Sequence, residues 1–204
     1  MKNVITNTKK GFLIVTLFAT LLSFANEVSF TTIKNDAKRT SLTLENVKKG
    51  NLLSIKDDHG VILYKEQIEK TGNYTKGFDL TTLPNGSYLF ELDGDVKIKT
   101  IPFTVESNQV IFNENLEFTS FKPIVRVKNE LVFISKLALN KEPLKIDVYF
   151  ESLNDSYAST RIYSETIKDT KKIERAFKLA DLKNGTYKIV VKSEGREFTK
   201  YINK

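Results

Sequence analysis

No cysteine occurs in the 204 residues. That excludes disulfides, thiolate metal sites and a thiol for lipid attachment. Tryptophan is absent too, and histidine occurs once, at His59. Zinc and catalytic sites bring several such groups together. In "KDDHGVIL", His59 with Asp57 and Asp58 therefore reads as a hairpin tip, where Asp and Gly serve the turn. A serine triad would have to use His59, and no Gly-x-Ser-x-Gly elbow accompanies it. No glycine-rich phosphate loop or calcium loop is present. The 25 acidic residues are scattered, and none pairs visibly for glycoside chemistry. The reading is of a non-enzyme, with no catalytic residue, no metal ligand set and no cofactor.

Long apolar runs are scarce as well. The one that stands out, Gly11 to Phe24, follows Lys2, Lys9 and Lys10, and at its end Ser23 and Ala25 place small side chains at the two positions a signal peptidase reads. This is the layout of a secretory signal cut after Ala25. At 14 residues the run is short for a membrane span, which needs about 20; an uncleaved anchor is the rival reading. No transmembrane span is expected in the mature chain. Cleavage would remove three lysines and no acids, lowering the net charge from +7 to +4. So mild a charge does not indicate a nucleic-acid binder, which carries a clustered basic face.

What the chain does have is alternation. Tyr88, Phe90 and Leu92 point one way and Ser87 and Glu91 the other, the period of a half-buried strand. Tyr187, Ile189 and Val191 repeat the pattern, and turn signals such as "DHG", "PNG", "KNG" and "SEG" punctuate the runs. Short strands with regular turns indicate an all-β sandwich or barrel. Two segments also fit helical spacing. "KKIERAFKLA" alternates with Ile173, Arg175, Phe177 and Leu179 on one side, and "NELVFISKLAL" with Leu131, Phe133, Leu137 and Leu139 on one face. Both are assigned as strands, the first because its counterpart "GNYTKGFDL" contains helix-weakening glycines.

That counterpart exists because the sequence says much of itself twice. "LPNGSYLFEL" at 83–92 returns as "LKNGTYKIVV" at 182–191, an offset of 99. Tyr64, Glu66 and Ile68 match Tyr163, Glu165 and Ile167 at the same offset, and Phe30 and Ile33 match Phe121 and Ile124 at 91. The expected organisation is a signal at 1–25, one β-sandwich module at 26–112 and a second at 113–204. The repeated phrase, Leu-x-x-Leu-x-x-Gly-x-Tyr, suits a corner where the chain crosses between sheets. There Gly86 and Gly185 supply positive φ, and Tyr88 and Tyr187 bury their rings and bond backbone near Pro84 and Lys183, as in the tyrosine corner of Greek-key domains. A two-residue Asn-Gly hairpin is the alternative.

"FKLADLKNGTYKIVVKSEGREFTKYINK" resembles the end of the C-terminal sorting domains of type IX secretion cargo. The whole chain is similar to small exported proteins made of immunoglobulin-like modules. The resemblance implies two tandem immunoglobulin-like, Greek-key sandwiches and a non-catalytic binding or scaffold role at the cell envelope or outside the cell. The alternatives are a small cargo whose C-terminal module is a sorting signal, and a weak polysaccharide-binding module. The expected partner is an envelope or extracellular protein or an anionic polysaccharide, not a nucleic acid. Candidate binding residues are Tyr157, in the long hairpin "ESLNDSYAST", and Lys171, Lys172 and Arg175 in "KDTKKIERAFK". A lysine-rich edge that discourages strand-to-strand aggregation is the other reading of that basic segment.

Overall fold

The computed structural model describes residues 5–7, 12–14, 29–36, 39–128, 131–152, 155–178 and 184–204. At 5–7, 12–14, 29–36, 114 and 155–158 the description is of backbone alone. It is all-β apart from two short 3-10 turns, and the strand pairings are antiparallel. In chain order the strands are β1 (Ile5–Asn7), β2 (Phe12–Ile14), β3 (Ser29–Asp36), β4 (Arg39–Val47), β5 (Leu52–Asp57), β6 (Ile62–Gln67), β7 (Gly72–Phe78), β8 (Gly86–Asp93) and β9 (Lys97–Glu106). They continue as β10 (Gln109–Phe112), β11 (Phe118–Phe121), β12 (Ile124–Lys128), β13 (Leu131–Leu137), β14 (Leu144–Ser152), β15 (Asp155–Ile167), β16 (Lys172–Lys178), β17 (Gly185–Ser193) and β18 (Arg196–Asn203). No helix among the described residues is long and apolar enough to cross a membrane.

The chain divides into two units. One comprises Leu22–Ser120; the other comprises Phe121–Lys204 together with Met1–Leu21. The first has a sheet ordered β3-β4-β7 and another ordered β10-β9-β8-β5-β6, with β11 also on β9. The second has β12-β13-β16 and β18-β17-β14-β15 in the same relative order. In both units the inner faces of the two sheets feed one apolar core, an arrangement consistent with a β-sandwich. Leu42, Leu53, Phe90 and Phe103 anchor the first core, and Ile134, Ile146, Phe177 and Tyr187 the second.

Register makes the copies equivalent residue by residue. Thr40, Leu42 and Leu44 pair with Phe78, Lys76 and Tyr74. Val132, Ile134 and Lys136 pair with Phe177, Arg175 and Ile173. Those second partners lie 99 residues on from the first, so Lys136 occupies the place of Leu44.

Three expectations need correction. The boundary falls at 120/121, not 112/113, because β11 adds to β9 and keeps residues 113–120 with the first unit. On β13 the inward set is Val132, Ile134 and Lys136, while Leu137 and Leu139 are exposed. The apolar count selects the wrong face because the true inward face carries a lysine. Finally, a removed signal at 1–25 would pack against neither module, yet β2 folds back on β1, and its Ile14 pairs with Phe177 of β16. A strand edge such as that of β16 offers backbone groups that a β-prone apolar run can meet. Residues 15–25 lie outside the described residues.

Candidate functional site

The repeated corner is the best defined local structure. β7 ends at Phe78, Asp79 caps the 3-10 turn Leu80–Thr82 by accepting from the Thr81 N–H at 3.2 Å, and the chain enters β8 in the other sheet. β7 and β8 do not pair, so the phrase is a crossing and not a hairpin. The Tyr88 ring is buried, stacks on Phe103 at 5.5 Å between centroids, and its hydroxyl donates to the Pro84 carbonyl at 2.8 Å. Tyr187 is buried against Phe150 at 5.0 Å, and burial pushes its hydroxyl pKa up. Lys183, its expected neighbour, lies outside the described residues.

Only one of the two glycines acts as expected. Neither Gly86 nor Asn85 has positive φ. Asn85 instead accepts from the Ser107 N–H at 3.0 Å, tying the corner to the β9–β10 turn, where Ser107 and Asn108 take φ of 51° and 61°. Gly185 does have positive φ, 158°, a conformation that residues with a Cβ rarely adopt, and a Cβ there would also sit 2.5 Å from the Glu151 carbonyl oxygen and 2.6 Å from the Phe150 ring.

Each unit also contains a clip between its two sheets, built from residues at the offset of 99. Glu66 on β6 accepts from Tyr64 on its own strand, and from Tyr74 at 2.9 Å and Lys76, both on β7. Glu165 on β15 accepts from Tyr163 at 2.7 Å and receives the Arg175 guanidinium of β16 in a fork, with the closest contact 2.6 Å. The Lys76 hydrogen bond, helped by Tyr64, holds the Glu66 pKa below its ordinary value. Burial pushes Glu165 up, but the Arg175 and Tyr163 bonds outweigh it and hold its pKa low. Charge-assisted forks of this kind are among the stronger hydrogen bonds.

Arg175 is therefore not a surface ligand. Alternation turns it inward onto Glu165, while Lys172 faces out and pairs with Glu174 at 3.0 Å. Lys171 is exposed and precedes the strand. The basic segment thus splits between two faces and presents no continuous strip. Tyr157 lies where only backbone is described. His59 is at the β5–β6 hairpin tip, with its side chain 81% exposed and Nδ1 2.6 Å from Asp58. Asp57 accepts from the backbone N–H groups of His59 and Val61 at 3.0 and 2.8 Å. Donor atoms of Asp57, Asp58 and His59 approach one another within 4.8 Å, but the Asp57 carboxylate already holds the turn.

Two clusters escaped sequence reasoning. Lys136 is 1% exposed at the side chain, and its ammonium donates to Glu142 at 3.0 Å, Glu194 at 2.9 Å and Ser193 at 3.0 Å. Burial alone would raise Glu142, but backbone N–H bonds and Lys136 hold its pKa below the ordinary value. The second cluster is a row across the outer face of the four-stranded sheet. Arg161 pairs with Tyr149, Tyr149 with Lys188, and Lys188 with Tyr201 in register. The Lys188 ammonium lies 5.9 Å from the centre of the Tyr149 ring, within cation–π range. Tyr201 is 57% exposed, and the Arg161 side chain 54%. The adjacent acid, Asp147, is buried and already met by Ser164 at 2.6 Å, Lys145 at 3.3 Å and Arg161 at 3.8 Å. The only sequence-level signal for this row was strand alternation combined with the pairing order, and pairing order is invisible in a single sequence.

No family model matches the chain, and no curated protein is similar to it. Among solved structures, the chain is similar to the BSP domain of a biofilm-associated protein, with 11% identity and a TM-score of 0.25. The match covers 81% of this chain and 27% of that one, so the chain spans about a quarter of that structure. A TM-score this low carries neither fold nor function across.

Proposed function

We propose that the protein is an exported, non-catalytic binding or scaffold protein of the cell envelope or extracellular space, built from two tandem immunoglobulin-like modules. The module reading is supported by the strand order repeated in both units and by a sheet-crossing tyrosine bonded to backbone four residues upstream. The binding reading is carried by the outer face of the second unit, where Arg161, Tyr149, Lys188 and Tyr201 form one row, exposed at Arg161 and Tyr201 and half-buried at Tyr149 and Lys188. The non-catalytic reading is supported by how the perturbed groups are used. Apart from Tyr187, the described residues with shifted pKa values belong to ion pairs or hydrogen-bonded clips within one unit. They do not converge on a cleft, where perturbed catalytic groups gather.

Fractionation of cells expressing the full chain tests export. Recovery in the periplasm, cell surface or medium, with an N-terminus beginning near residue 26, is the expected outcome; uncleaved protein in the cytoplasm refutes it. A second reading, which rests on the resemblance of residues 177–204, is that the C-terminal module is a type IX sorting signal. Deleting residues 177–204 then traps the rest in the periplasm, whereas normal release of the truncated chain discards that reading.

A further inference from the structure

We infer that the outer face of the four-stranded sheet in the second unit binds an anionic polysaccharide, with sugar rings on Tyr149 and Tyr201 and acid groups at Arg161 and Lys188. This rests on the binding reading above and names its partner. Three observations carry it. First, the row alternates cation, ring, cation, ring across β15, β14, β17 and β18. Strands lie about 4.8 Å apart, so the two tyrosines stand about 9.6 Å apart with one lysine between them. That is roughly the repeat of two linked sugars, and it places one charge between two flat apolar faces.

Second, the charge of the chain is lodged in this half. Residues 121–204 hold 18 Lys and Arg against 11 Asp and Glu, the whole net charge of +7, while residues 1–120 hold 14 of each. An anionic polymer is drawn to the second unit and not to the first. Third, two acids on the face, Asp147 and Glu197, are occupied. Asp147 is buried among Ser164, Lys145 and Arg161, and Glu197 pairs with Lys192 across β17 and β18 at 2.9 Å. Lys188, by contrast, stands over the Tyr149 ring, where a carboxylate of the ligand can reach it. Single-stranded nucleic acid also combines stacking with charge, but its binders track the backbone with a run of cations, and this row offers two, of which Arg161 already meets Asp147 at 3.8 Å. The polysaccharide is therefore favoured.

Affinity electrophoresis of the full chain decides the matter, with polygalacturonate in the gel, a neutral β-glucan as control and an oligothymidylate as competitor. Retardation is expected in the polyuronate alone, and it should fade with added salt. Tyr201→Ala and Lys188→Ala should each weaken it by about tenfold, the effect of losing a central contact, while Lys188→Arg retains most of it. Lys168→Ala, which removes the same charge elsewhere in the unit, should leave it nearly unchanged. Equal weakening by Lys168→Ala and Lys188→Ala would show diffuse attraction and overturn the site. Equal retardation in the neutral glucan, or displacement by oligothymidylate at lower concentration than by polygalacturonate, would overturn the partner. Absence of retardation in all gels overturns the inference as a whole, while the export reading is judged separately by fractionation.

Discussion

Gly86 and Gly185 occupy the same position in the repeated phrase, yet their substitution should have opposite consequences. At Gly185 an added methyl meets the Glu151 carbonyl oxygen at 2.5 Å and the Phe150 ring at 2.6 and 3.0 Å. Both belong to β14, which pairs with β17 up to Gly185 itself. The methyl can be accommodated only by opening the end of that pairing or by turning the Phe150 ring off Tyr187, its neighbour at 5.0 Å. Overpacking of this kind costs about 1–3 kcal/mol. The residue also exchanges two hydrogen bonds with Lys204, at 3.1 and 3.0 Å, and each bond lost adds about 1 kcal/mol. At Gly86 the same methyl finds the Tyr88 ring and hydroxyl at 3.5–3.7 Å, ordinary contact distance, and φ is not positive. Gly86→Ala should be near neutral, or stabilising by up to about 1 kcal/mol through a stiffer unfolded chain. The difference between the variants should be at least about 2 kcal/mol. For a unit of this size that amounts to roughly 8–16 °C in the midpoint of its thermal transition. Calorimetry of the full chain reads it, with tyrosine fluorescence in urea as a second probe, since tryptophan is absent. Equal midpoints for the two variants would show that neither space at β14 nor the positive φ of Gly185 dictates the glycine.

Three further predictions follow from the same packing. Tyr88→Phe leaves the Pro84 carbonyl without its donor and should lower the stability of the first unit by about 1–3 kcal/mol, read from urea titration. The clips make both units acid-sensitive. Glu66 and Glu165 have folded pKa values below their ordinary 4.5, so their contribution is complete above that value and is lost as pH falls through the lowered ones. Glu66→Gln should flatten the acid limb of the first unit's denaturation midpoint against pH, and an unchanged limb would refute the clip. In the second unit, Lys136→Met should be nearly neutral, because Glu142 and Glu194 lie close enough to solvent to be hydrated. The double change Glu142→Gln and Glu194→Gln strands a buried ammonium and should cost about 3–5 kcal/mol. The reverse ranking in chemical denaturation would sink that account.

How much of this was legible follows from what each feature is made of. The strands were visible because Tyr88, Phe90 and Leu92, and their copies, recur at every second position, although Leu89 and Val190 break the polar side. The crossing at Pro84 was legible because leucine and tyrosine spacing reports a local geometry. The offset of 99 brought Tyr64–Glu66 and Tyr163–Glu165 to notice, but not the cations that complete the clips, since Lys76 and Arg175 arrive from another sheet. The inward face of β13 was misread for a related reason. Burial of Lys136 depends on Glu142 and Glu194, six and fifty-eight residues away, and hydrophobic patterning cannot credit a charge whose partners come from elsewhere. Gly86 was misread, since its φ is not positive, and the crowding at Gly185 went unseen because close approach between strands leaves no mark on the local sequence.

The exchange of Leu44 for Lys136 also bears on how such a chain folds without confusing its halves. Tandem modules of similar sequence risk trading strands as they emerge, which is a characteristic route to misassembly. The strands β4 and β13 share their partner spacing over Thr40–Leu44 and Val132–Lys136, so geometry alone would let one enter the other's slot there. Charge does not. If β13 took the place of β4, Lys136 would enter the first core where Leu44 is fully buried, away from Glu142 and Glu194. An uncompensated buried charge costs about 3–5 kcal/mol, comparable to much of the stability of a module this small. One lysine thus serves as a mark of origin, keeping each strand with the half of the chain that encoded its carboxylates.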